Sequence, residues 1–452
     1  MNNKSQYATD SRRRHLDRRK WLQVSSIGWL ATSPWLRGMS GGFSADESIT
    51  PRIRSCILVF LYGGPSQLET FDPKPLAPAA TRGEYQAIST AVPGIMVGEH
   101  LPLVAKCMRQ MTLIRSMRHS LRNHNPAAGE ALTGRAPGGG DQEVFVEDTN
   151  PSLGSMVGFG LGPRANVLPY VALPYTIQNV VQIPGQTGGW LGAKHDRFQV
   201  TGNPNQPGFR VAALQPPANR QVSELRSRSR LLRQIDTLAI SEQSSALYKL
   251  QQRAEELVTS DVSNSFDMSH EGAGVRDRYG RTLLGQSLLL SRRLVESGVN
   301  FVTVFDGRTN GQNANWDSHE DIFPRHRQLI PPMDQGLSAL IDDLHERGLL
   351  ESTLVVVMGE FGRTPKINAK AGRDHWPDCY TVVLAGGGTK GGAVYGASDK
   401  IGAYPDRDPV TPADLIATIL WRFGINPAKE FNDRTNRPLR LSDGKAITAL
   451  FS

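Results

Sequence analysis

The chain has 452 residues, 39% hydrophobic and 21% charged, an ordinary globular composition with enough length to bury a large core. Its formal charge of +8 is concentrated at one end: residues 1–44 carry eight Lys/Arg against two Asp/Glu, a net of +6 that leaves +2 for the rest. A near-neutral body without a basic helix or an aromatic-basic stripe excludes nucleic acid as a partner.

The first 44 residues read as an export signal. Arg18-Arg19-Lys20-Trp21-Leu22 precedes a weakly apolar stretch, 24–36, that holds Ser25, Ser26, Gly28 and Thr32. Paired arginines, an aromatic, a leucine and then a mildly hydrophobic segment form the twin-arginine pattern, and the segment is shorter than the ~20 residues of a membrane span. The alternative is a disordered basic tail. The export reading places the mature chain, 45–452, in the periplasm or outside the cell, after passage through the twin-arginine translocase. Its substrates cross folded, often with a cofactor inside, which favours a metal. No other stretch is long and apolar enough to span a membrane. Cys56, Cys107 and Cys379 are too few for a disulfide framework and lack metal-type spacing, so they read as small buried apolar residues.

In chain order, 53–62 (IRSCILVFLY) is the first strand, stopped by Gly63-Gly64-Pro65-Ser66. A short strand at 113–116 leads to His119 and His124, and Pro126 with an Ala-rich run starts a helix, so His124 lies at its N-terminus. Residues 136–222 are rich in Gly and Pro and read as loops and short strands, with one strand near 168–173. Residues 223–262 are helical in composition. Residues 283–297 form an amphipathic helix capped by Gly298, and 300–305 a strand ending at Asp306. Leu337, Leu340, Ile341 and Leu344 give one face of a helix ended by Gly348. The β-branched run 354–358 is a strand buried on both faces, followed at once by Gly359 and Glu360. Another apolar run, 380–384, comes next, Gly386-Gly387-Gly388 is a turn, and Thr411-Pro412-Ala413-Asp414 starts a capped helix. The alternation of strand and helix predicts an α/β three-layer sandwich with a mostly parallel central sheet.

Carboxylates and imidazoles gather at the expected strand ends: His119, His124, Asp306, Asp317, His319, Glu360, Asp374 and His375. Ligands lie beyond the carboxyl ends of strands in such sheets. Asp317, His319, Glu360, Asp374 and His375 are the candidate ligands of a divalent metal ion, Zn, Mn, Mg or Ca. Arg363 and Arg373 are candidates to grip an anionic substrate by bidentate contacts. Each has a plainer reading: Asp374 as a turn cap, His375 as a packed core histidine, Asp317 and His319 as surface, Glu360 as the ion-pair partner of Arg363.

Several motifs together resemble the bacterial exported family called domain of unknown function 1501. They are Tyr62-Gly63-Gly64-Pro65-Ser66, Thr70-Phe71-Asp72-Pro73, Trp316-Asp317-Ser318-His319, Gly359-Glu360-Phe361-Gly362-Arg363-Thr364-Pro365 and Gly372-Arg373-Asp374-His375-Trp376-Pro377. The resemblance implies a place in the alkaline phosphatase and sulfatase superfamily, whose members perform metal-assisted phosphoryl or sulfuryl transfer with a covalent nucleophile. Residue by residue, the site departs from that pattern. His124 stands where sulfatases carry the Cys or Ser nucleophile, Gly63 and Gly64 replace an Asp-Asp pair, and Glu360-Phe361 replaces Asp-His. Two accounts follow. One is a hydrolase of phosphate or sulfate esters, sulfated polysaccharides among them, rebuilt around one metal with His124, Asp317, His319, Glu360 and His375. In it a metal-bound hydroxide attacks or His124 takes the phosphoryl group. The other is a non-catalytic secreted binding or structural protein on the same fold. In either, the stretch 136–222 is expected to shape a substrate cleft or a partner surface.

Overall fold

Short apolar runs bounded by turn residues build one eight-stranded sheet. The computed structural model of the protein describes residues 52–144, 148–164, 167–214, 261–307, 316–433 and 435–452, together with 224, 227 and 231. The expected export signal at 1–44 and nearly all of the helical segment expected at 223–262 lie outside the described residues.

The strands are β1 (Ser55–Leu61), β2 (Met111–Met117), β3 (Tyr170–Leu173), β4 (Phe198–Gln199), β5 (Phe301–Asp306), β6 (Thr353–Met358), β7 (Tyr380–Gly386) and β8 (Ala393–Tyr395). Their order across the sheet is β8-β2-β7-β6-β1-β5-β3-β4. β1 pairs in parallel with β6 and β5, and β3 with β5 and β4. β7 runs antiparallel to both neighbours, while β8 is parallel to β2, so only β7 is reversed and the sheet is mostly parallel.

Every residue of β1 and of β6 is buried, as a strand covered on both faces requires. Side chains alternate between two cores because strand geometry has a period of two. Ile57, Val59 and Leu61 enter one core with α1 (Pro102–Cys107), α4 (Leu283–Glu296) and α5 (Ile322–Glu346). Cys56, Leu58 and Phe60 enter the other with α2 (His124–Thr133), α3 (Leu153–Leu161) and α6 (Pro412–Arg422). The result is the expected helix–sheet–helix sandwich.

Local signals set the helix ends. Thr411 and Asp414 form a reciprocal capping box around Pro412. Thr282 accepts from the Gly285 N–H at 3.0 Å to start α4. α2 begins at His124, two residues before the proline that announced it, with Asn123 at the N-cap position. Two elements differ from the sequence reading. α5 starts at Ile322 and runs through Pro331 and Pro332, because Phe323, Ile330 and Met333 extend the buried face on both sides of the prolines. α3 falls inside the Gly/Pro-rich stretch, where its glycines hide the helical period, and Ser152 caps it by accepting from the Ser155 N–H. Among the described residues no helix is long and apolar enough to cross a membrane.

Candidate metal centre

The carboxyl ends of β1, β5 and β6 and the N-terminus of α2 bring four segments to one point: 62–64, 122–124, 316–319 and 360–363. A two-strand ribbon, Gly362–Arg363 against His375–Trp376, adds a fifth. Two close backbone approaches hold the 316–319 segment between its neighbours. A Cβ on Gly63, at φ +115°, would meet the Asp317 nitrogen at 2.5 Å, and one on Gly372 would meet the His319 carbonyl oxygen at 2.0 Å. Only glycine fits at either contact. Gly63 stands where the resemblance leads one to expect a carboxylate, and its loss is accounted for by this packing.

Three imidazoles surround Asp317. His124 Nε2 lies 3.3 Å from Oδ2, and His319 Nε2 and His375 Nε2 lie 3.1 and 3.3 Å from Oδ1. His319 Nε2 and His375 Nε2 are 2.9 Å apart. One ligand atom from each of His124, Asp317 and His375 falls within 4.8 Å of the others. The opposite nitrogen of every ring is tied down. His124 Nδ1 meets Glu360 Oε1 at 2.5 Å, His319 Nδ1 meets Asp374 Oδ1 at 2.8 Å, and His375 Nδ1 meets the Arg122 carbonyl at 2.6 Å. A carbonyl or carboxylate accepts only, so each Nδ1 carries the proton and each Nε2 is turned inward. Metal-ligating histidines are oriented by such outer partners. Side-chain exposure rises from 7% at His124 through 19% at His375 to 41% at His319, so the cluster opens on the His319 side.

The electrostatics follow from this packing. Burial opposes the His124 cation, but the adjoining carboxylates of Asp317 and Glu360 outweigh it and raise its pKa to about 9. Burial likewise opposes the Asp317 carboxylate, yet the three imidazoles and Arg363 hold it far below the usual range. His319 is raised, chiefly by its bond to Asp317. His375 is pushed down to about 4, by burial first and by repulsion from His124 and Arg363, against the pull of Asp317.

Asp317, His319 and His375 meet as the sequence reading expected, and His124 joins them as a ring facing Asp317. Glu360 is wholly buried; its Oε1 accepts from the Gly63 N–H at 2.9 Å as well as from His124, while Oε2 has no hydrogen-bond partner among the described residues. It reaches the cluster through His124. Asp374, expected as a ligand, instead binds the far nitrogen of His319, because it points away from the centre on which His375 converges.

Both arginines also differ from expectation. Arg373 directs all five of its N–H groups to protein acceptors: Glu69 twice and the carbonyls of Thr81, Thr364 and Pro365. Arg363 is fully buried and donates to the carbonyls of Gly63, Gly64 and Arg373 and, at 2.7 Å, to Asp317 Oδ1. Neither guanidinium is open to a substrate; Arg363 fixes Asp317 and Arg373 fixes the loop that carries His375. The sequence reading missed the Arg122 carbonyl, which has no side-chain signal, and His326. That ring is fully buried against Ser318, and burial with repulsion from Arg363 and Arg373 lowers its pKa to about 3. His119, noted only as a strand-end residue, meets the Glu360 carbonyl at 2.6 Å while its other nitrogen accepts from the Leu121 N–H.

A family described as "Protein of unknown function (DUF1501)" matches residues 53–451, and the chain belongs to that family. No curated protein matches the sequence. Among solved structures the chain is similar to a phosphonate monoester hydrolase of Agrobacterium radiobacter, at 11% identity and a TM-score of 0.40 over 88% of this chain and 77% of that one. It is also similar to the PsFucS1 sulfatase from Pseudoalteromonas sp., at 14% identity and a TM-score of 0.38 over 82% and 68%. A third is the lipoteichoic acid synthase LtaP from Listeria monocytogenes, at 9% identity and 0.37 over 84% and 74%.

Proposed function

We propose that the protein is an exported, metal-dependent hydrolase of phosphate or sulfate esters, with a centre formed by His124, Asp317, His319 and His375. The observation that carries this reading is the shared orientation of the three histidines, each with Nδ1 bound to an outer acceptor and Nε2 turned to Asp317. Nothing in ordinary core packing calls for three rings to be oriented alike around one carboxylate. The buried His124 Nε2 lies 3.3 Å from Asp317 Oδ2 without forming a hydrogen bond among the described residues, and an ion between them would satisfy it. Three imidazoles and one carboxylate form a borderline donor set suited to Zn or Mn rather than to Mg or Ca, which take oxygen ligands.

A divalent ion supplies a Lewis acid that polarises an ester oxygen and lowers the pKa of water. The chain's own residues do the rest. Arg363 holds Asp317 in position, Glu360 and Asp374 hold the rings of His124 and His319, and the exposed side at His319 admits the substrate. Ser318, the hydroxyl inside the Asp-x-His motif, is wholly buried beneath the centre against the Trp316 carbonyl and His326, out of reach of a substrate. With both nitrogens of His124 facing carboxylates, water would be the attacking group: its oxygen bonds to the ester phosphorus or sulfur as the bond to the alcohol oxygen breaks, the alcohol leaves having taken a proton from solvent, and the water's proton passes to solvent on the open side. Export by the twin-arginine route, with the translocase as a transient partner, rests on Arg18-Arg19 and the segment after them.

The test is turnover of an aryl phosphate, an aryl phosphonate and an aryl sulfate by Zn- or Mn-reconstituted protein. Hydrolysis of at least one of them, lost in His375→Ala, is expected. A fully loaded centre that turns over none of the three contradicts the reading.

A further inference from the structure

A cavity of about 360 Å³ lies between residues 148–150, the turn at 189–190 and the hairpin that pairs Glu430–Asn432 with Pro438–Arg440. It is separate from the metal centre. α2 runs from His124 to Thr133, and Arg135 in the cavity wall follows its last turn, roughly 15 Å away at 1.5 Å per residue. The volume lies within the range of about 300–1,000 Å³ typical of small-molecule sites.

The wall combines one aromatic surface with paired charges. Half-buried Trp190 packs part of its ring on the core, and its backbone N–H donates to the Thr149 carbonyl at 2.9 Å, which holds the 189–190 turn against 149–150 in the cavity wall. Arg437 binds Asp433 at 3.1 Å. Arg135 binds Asp443 at 2.9 Å and donates to the Arg440 carbonyl, but its buried Nε has no hydrogen-bond partner among the described residues. Asp148 accepts from the Gly185 N–H and the Thr187 hydroxyl. The lining carries two guanidinium groups and two carboxylates, so its formal charges cancel.

A polyanion would meet Asp148 and Asp433, and an apolar ligand would leave Arg135 Nε unsatisfied. A polyhydroxylated ring suits all of them: its apolar face covers the indole while its hydroxyls both accept from guanidinium and amide groups and donate to carboxylates. We infer that this cavity is a binding site for a neutral saccharide, independent of the chemistry at the metal centre.

The experiment is calorimetric titration of the full chain with neutral gluco-, galacto-, manno- and xylo-tetrasaccharides, alongside sulfated counterparts. At least one neutral oligosaccharide is expected to bind, with Trp190→Ala weakening it about tenfold or more, some 1.4 kcal/mol. Because Trp190 also packs on the core, Asn150→Ala and the mostly exposed Arg437→Ala provide the same reading in a folded protein, each expected to weaken binding several-fold. His375→Ala is expected to leave the affinity unchanged. Absence of binding by every neutral sugar, binding by sulfated sugars alone, or binding that none of the three cavity variants weakens overturns the inference.

Discussion

At the scale of residues, what matters about Arg373, Asp374 and His375 is that three neighbours serve three different partners: Glu69, His319 and the centre. Their chemistry was legible in the sequence, as was their place beyond a strand. Which nitrogen of a ring faces inward, and which carboxylate stands behind it, depends on the approach of segments far apart in the chain and left no local trace. The roles assigned here separate by mutation. Glu360→Gln retains an acceptor for His124 but loses the charge, and is expected to weaken metal binding about 10–100-fold, the usual effect of removing an outer partner. Arg373→Ala removes no ligand but frees the loop that carries His375, and is expected to cost about 3–5 kcal/mol in urea unfolding, since it strands Glu69 as a buried, unpaired charge. Arg373→Lys should recover little of this, because one ammonium cannot replace five N–H groups in a planar fork.

At the scale of elements, β1 and β6 were readable because strands buried on both faces are continuous apolar runs, and β5 because 300–305 alternates. The reversal of β7 was not, since an apolar run carries no direction. Nor was the ribbon that delivers His375, which is two residues long on each side. What places the 316–319 segment is backbone contact with Gly63 and Gly372, and this yields a sharp comparison. Gly372→Ala puts a methyl group into the His319 carbonyl and is expected to lose about 1–3 kcal/mol of stability together with metal affinity. Gly274→Ala, in a short helix where a Cβ meets nothing within 4 Å, is expected to be neutral or to stabilise by up to about 1 kcal/mol. Thermal unfolding of the two variants beside the parent checks both.

At the scale of the whole molecule, stability and the centre respond to pH through different groups. Burial raises Glu130 from the ordinary value near 4.5 to about 7. The unfolded chain gives up this proton near 4.5 and the folded chain keeps it to about 7, so Glu130 costs stability progressively as pH rises across that window. Glu130→Gln is expected to melt higher than the parent at pH 8 and to match it at pH 4. His119 and His326 act in the opposite sense: both are neutral when folded, with values near 4 and 3, so unfolding gains protons and stability falls as pH drops below about 6.5. The three-layer fold was foreseen from the alternation of elements, whereas the cavity at Trp190 lies only partly in 136–222, a stretch expected to shape a cleft or partner surface but whose Gly and Pro content gave none of its residues. The measurement that bears most directly on the account is the metal content of the purified protein, by elemental analysis, beside His375→Ala and Arg437→Ala. One tightly held divalent ion per chain, lost in His375→Ala and retained in Arg437→Ala, is the expected result. Protein that neither carries nor takes up a divalent ion, with His124, Asp317, His319 and His375 all intact, would contradict it.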